Sequence, residues 1–130
     1  MNTRLLMISS AILLFGLGAL FTFAPKESIN FTGSVPQPLL VLLVQGTGAL
    51  YLGFAILNWM AKDNLIGGIY SRPVALANFL HFVVFALAAI KTSTTNVLLT
   101  PLIVITGLYV LFAAWFGLVT FGGGTQARRR

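Results

Sequence analysis

Residues 38–60 read PLLVLLVQGTGALYLGFAILNWM. No charged side chain interrupts the stretch, and a helix needs about 20 mainly apolar residues to cross a bilayer core. Pro38 suits a first helical turn, where its missing N–H removes no bond. In lipid only helices and closed barrels satisfy the backbone, and this run lacks the alternation of a barrel strand. It therefore reads as a membrane-spanning helix. Three further segments read the same way. The first, 5–24, opens with Thr3 as its cap and stops at Pro25. The third, 73–90, is short, with Ser71 able to cap it and Pro73 to start it. The fourth, 97–121, starts at Val97 or at Pro101; from Val97, Pro101 would lie one turn inside and kink it.

The expected fold is therefore all-α, a single-domain four-helix transmembrane bundle over 1–130 with 122–130 as a flexible basic tail. Composition agrees. Apolar residues make up 58% of the chain and charged ones only 8%, whereas soluble domains carry roughly 25% charge. There is no cysteine, so disulfides, thiol catalysis and thiolate metal sites are excluded. The net charge of +6 does not point to nucleic acid, because the basic residues sit at the ends of the apolar runs, where lipid headgroups and topology explain them. Arg4, Lys62, Arg72 and Arg128 to Arg130 fall on one side of the layer, and Lys26 and Lys91 on the other. That bias places the N- and C-termini in the cytoplasm. The first apolar run is longer than the core of a cleaved signal, and Pro25 follows the best cleavage position, so the span is expected to be retained. The compact architecture points to the inner membrane of a bacterium. The formal sequon Asn30-Phe31-Thr32 then has no role.

The chemistry available is narrow. Only Glu27 and Asp63 are acidic, and they are expected on opposite sides of the bilayer. That excludes paired-carboxylate catalysis. No charge occupies the middle of a span, which argues against proton- or cation-coupled transport. A single histidine, His81, is too few for a zinc site. No catalytic residue and no metal ligand set is expected. Neutral polar groups remain. Thr47, Tyr51 and Asn58 share a face of the second span by their spacing. Asn78 and His81 share a face of the third, a stripe that continues through Phe85 and Ala88. At about 1.5 Å per residue, Tyr51 and His81 lie roughly 10–13 Å from the inner ends of their helices. Ser9 or Ser10, Asn58 and Asn78 lie nearer the surface, and Tyr109 could join from deeper. Two readings of Tyr51, Asn58, Asn78 and His81 stay open. They are either interhelical hydrogen-bonding glue, or a polar intramembrane pocket for a lipid or a quinone headgroup.

One motif repeats. Gly16-Leu17-Gly18-Ala19-Leu20-Phe21 is echoed by Gly46-Thr47-Gly48-Ala49-Leu50-Tyr51. Small residues let helices approach closely in lipid, and Gly46, Ala49 and Gly53 share a face. They are expected to form the seam between the first two spans. The segment from Gly16 through Ala24-Pro25, together with Gly48-Ala49-Leu50-Tyr51-Leu52-Gly53-Phe54, resembles the first and second helices of the DoxX-like small membrane proteins. That resemblance implies a four-helix bundle and an accessory or small-ligand role, since some members accompany membrane redox complexes, including quinone-reducing ones. It carries no catalytic residue onto this chain. The function expected is a non-catalytic accessory subunit of a membrane complex, binding membrane lipids and other membrane subunits or itself. The alternative is a small oligomeric transporter or channel.

Overall fold

The computed structural model describes residues 2–64, 71–95 and 100–122. Every regular element among them is helical: α1 (Thr3–Phe23), α2 (Pro25–Phe31), α3 (Pro38–Ala61), α4 (Arg72–Thr95) and α5 (Thr100–Gly122). α1, α3, α4 and α5 are long and apolar enough to cross a membrane. This is the make-up of a multi-pass membrane protein.

The helix ends correct several expectations. Thr3 is already helical; the cap is Asn2, whose side-chain oxygen accepts from Leu5 N at 3.2 Å. Pro25 both stops α1 and starts α2, a short helix inside what reads as an outer loop. A proline in a first turn is stereochemically at home, and Pro25 and Ile29 turn inward while Lys26, Glu27 and Asn30 stay exposed. α2 ends where the Thr32 hydroxyl donates to Ile29 O at 2.7 Å and Gly33 takes a φ of 78°, a left-handed conformation that glycine adopts without strain. α4 is longer than the expected 73–90. It begins at Arg72, directly after Ser71, whose carbonyl accepts from Ala75 N at 3.1 Å. α5 places Pro101 at its second residue. The alternative start at Val97, the glycine pair at 67–68, Tyr70 and the basic tail from 123 onward lie outside the described residues.

The chain divides into two compact units, Met7–Lys62 and Asp63–Arg130 together with Met1–Leu6. In the first, α1 and α3 run antiparallel. A Cβ added at Gly18 would lie 2.9 Å from the backbone N of Leu52, and one at Gly48 would lie 2.7 Å from Thr22 N and 2.9 Å from Gly18 O. Those approaches are closer than any side chain allows, so both positions require hydrogen in place of a Cβ. Gly18 and Gly48 hold the same place in the two copies of the repeated motif. Phe21 and Tyr51, which also correspond, meet ring to ring at 5.8 Å. The echo is thus explained by packing: each side of a locally symmetric crossing needs the same small residue. The expected seam is corrected. Gly46, Ala49 and Gly53 are exposed, and a Cβ at Gly46 or Gly53 would meet nothing within 4 Å.

In the second unit α4 and α5 are held by aromatic rings. Phe82 is fully buried. It stacks on Phe112 at 5.0 Å and Phe116 at 5.7 Å, and meets Tyr109 edge-on at 5.1 Å. Toward one end Phe79 contacts Phe121 at 5.4 Å and lies on Gly117, where an added Cβ would sit 3.1 Å from its ring. Offset and edge-on ring pairs contribute about 0.5–1.5 kcal/mol each beyond area. Such packing matters more here than in water, because lipid tails are as apolar as the rings and give no hydrophobic drive. Each of the four long helices exposes leucine and isoleucine, as a lipid-facing surface requires.

Gly48→Ala should destabilise the protein by about 1–3 kcal/mol, the usual cost of overpacking, whereas Gly46→Ala should change stability by less than about 1 kcal/mol. Unfolding of the two variants in detergent micelles checks this; equal effects would contradict the seam.

Candidate functional site

The buried stripe of α3 is Gly48, Tyr51, Ala55, Asn58 and Ala61, the three- and four-residue spacing of one helix face. Tyr51 and Asn58 are on it as expected. Thr47 is not: its hydroxyl turns back to donate to Leu43 O at 2.9 Å. Gln45 is exposed and donates to Thr22 O at 3.4 Å, a carbonyl in the last turn of α1 with no helical donor of its own.

Asn58 makes a side chain–side chain hydrogen bond between α1 and α3. Its Nδ2 donates to Ser10 Oγ at 3.0 Å, and Ser10 Oγ donates in turn to Met7 O at 3.0 Å. Both residues are fully buried. The serine hydroxyl therefore serves as donor and acceptor at once, which a hydroxyl can do and an alanine cannot.

Asn78 and His81 belong to the other unit. Asn78 is fully buried and its Nδ2 donates to Val74 O, one turn back, at 2.9 Å. The inward stripe of α4 is Ala75, Asn78, Phe82, Ala86 and Ala89, so the stripe expected through His81, Phe85 and Ala88 rotates away from it. His81 lies on the flank, half-buried. Its ring is 5.1 Å from that of Phe82 and 5.7 Å from that of Tyr109. Tyr109 lies beside the histidine and is completely enclosed, with the Phe85 ring 4.4 Å away.

The charged groups lie at helix ends. Asp63 accepts from Arg4 Nε at 3.2 Å, with both side chains 65% exposed, a setting in which an ion pair adds little stability. Lys62 Nζ sits 3.8 Å over the ring of Trp59, which is half exposed. Among the described residues no three His, Cys, Asp or Glu side chains gather as a metal site. Chemically, both units offer neutral donors and acceptors inside apolar walls. Comparison with family models, curated proteins and solved structures found no match.

Two features were not singled out from the sequence. One is the Phe82–Phe112–Phe116 stack. The other is the choice of Gly18 and Gly48 as the contact, although the repeated motif contained the signal.

A double-mutant cycle of Ser10→Ala and Asn58→Ala, followed by unfolding in mixed micelles, should give a coupling of about 0.6–1.7 kcal/mol, the range of membrane interhelical hydrogen bonds. Strictly additive effects would show that the 3.0 Å bond adds nothing.

Proposed function

We propose that this protein is a non-catalytic accessory subunit of a membrane complex. The observation that carries the reading is the open face of α3. Leu42, Gly46, Ala49, Gly53, Ile56 and Met60 share that face and all are exposed, and α3 is the least covered of the four long helices. Glycine and alanine on a membrane-facing surface let another helix approach to backbone distance. A helix that had only to meet lipid would gain nothing from two glycines in its interior, which cost about 0.5–1 kcal/mol each relative to alanine. The partner in this reading is another membrane helix, from a different subunit or a second copy.

The remaining parts of the proposal rest on the sequence. The bias of basic residues sets both termini in the cytoplasm, and the setting is a bacterial inner membrane. The likeness to DoxX-like proteins supports an accessory role beside a redox complex. Tyr51, Asn58, Asn78 and His81 supply neutral hydrogen-bonding groups suited to a quinone or lipid headgroup.

Gentle solubilisation of the native complex tests the subunit role. A stoichiometric membrane partner should co-purify with the wild-type chain and be lost from Gly46→Leu/Gly53→Leu, positions where an added Cβ meets nothing within 4 Å. A lone species with solute flux in proteoliposomes would favour the transporter reading instead. For a headgroup held within either unit, Tyr51→Phe in the one and His81→Ala in the other should each lower the amount of quinone or lipid retained on purification; an unchanged amount removes that residue from the proposal.

A further inference from the structure

Gly18 and Gly48 do more at the crossing of α1 and α3 than leave room. The direction in which a Cβ would be added is the direction of an α-hydrogen that the glycine already carries. Placed along it, a Cβ at Gly48 would lie 2.5 Å from Thr22 Oγ1 and 2.9 Å from Gly18 O, and one at Gly18 would lie 3.0 Å from Gly48 O. We propose that Cα–H···O hydrogen bonds fix this crossing, with both glycines as donors and the Thr22 hydroxyl, Gly18 O and Gly48 O as acceptors. Such contacts recur where helices pack closely.

Thr22 is the residue that sets the crossing apart. Thr47, Thr92 and Thr106 each donate to the carbonyl four residues back. Thr22 does not: its Oγ1 is buried and has no conventional hydrogen-bond partner. A buried hydroxyl left alone costs free energy, and lipid offers it nothing. The Gly48 α-hydrogen, polarised by the peptide groups on either side, is aimed at its lone pairs. The two glycine carbonyls can accept as well, because a helical N–H uses only one of the two lone pairs on each oxygen.

The repeated motif makes the arrangement reciprocal. Gly18 and Gly48 hold the same place in the two copies, and each directs an α-hydrogen at the other's carbonyl. Four residues further on the copies differ, with Thr22 in α1 and Leu52 in α3. Leu52 meets Gly18 with its side chain, its Cγ 2.9 Å from the added Cβ, whereas Thr22 brings an oxygen. Apolar contact in lipid has little preference for direction, but a hydrogen bond does. These bonds therefore fix the rotation of α3 about its own axis. With Gly48 turned inward, Gly46, Ala49 and Gly53 are left exposed. Thr22 is thus a positioning residue for the open face of α3, whatever that face meets.

Thr22→Ser keeps the hydroxyl and Thr22→Ala removes it, and neither adds bulk at the crossing. For the full chain in detergent micelles, the folding constant of Thr22→Ala should be about two- to five-fold below that of Thr22→Ser, the worth of one such bond. NMR of glycine-labelled protein supplies a readout of the bond itself. An α-proton of Gly48 should resonate downfield of those of Gly46 and Gly53 in the wild type and in Thr22→Ser, and should move back upfield in Thr22→Ala. Any of three results would overturn the proposal: equal folding constants for the two variants, a Gly48 α-proton that does not differ between them, or one that coincides with Gly46 and Gly53 in the wild type. If Thr22→Ala fails to fold, the Gly48 resonance in the wild type and in Thr22→Ser decides.

Discussion

A lipid interior offers a peptide N–H nothing to bond, and the helical make-up of this chain follows from that limit. Backbone groups must be closed within each helix, so four long segments are helical regardless of the modest propensity of their many valines, isoleucines and glycines. Where the backbone breaks, the sequence supplies local substitutes. Asn2 caps α1, the Ser28 hydroxyl donates to Ala24 O at 2.8 Å, and Thr32 and Gly33 close α2. Threonines within the spans do the same for themselves: Thr47, Thr92 and Thr106 each donate to the carbonyl four residues back.

The same limit removes the hydrophobic effect as an organiser. Inside and outside of the protein are equally apolar, so association depends on close approach, ring packing and the rare hydrogen bond. The two units use these in different proportions. The α1–α3 pair relies on backbone proximity at Gly18 and Gly48, with Ser10 and Asn58 bonded a few turns away. The α4–α5 pair relies on Phe82 and the rings around it.

This explains what could be read from residues alone. The spans were legible because length and lack of charge define them, and Pro25, Pro38 and Pro73 mark their borders. Tyr51 and Asn58 were legible as a pair because a buried polar residue has few places to go. Which glycines form the seam was not legible. Gly46, Ala49 and Gly53 have as good a spacing as Gly48 and its neighbours, and in lipid an apolar face gives no hint of direction. The phenylalanine stack was hidden for the same reason, since a phenylalanine is equally at home against lipid. α2 was hidden because a proline that ends one helix and begins another reads most simply as an end. Spacing alone puts His81 on one stripe with Asn78, Phe85 and Ala88, whereas the stripe that turns inward runs from Asn78 through Phe82.

α3 is long and apolar enough to cross the bilayer and so to separate Glu27 from Asn64. The chain has no cysteine, so single cysteines report cleanly. In intact cells a membrane-impermeant maleimide should label only one of Glu27→Cys and Asn64→Cys, and the other only after the membrane is opened. Labelling of both from the same side would contradict the account.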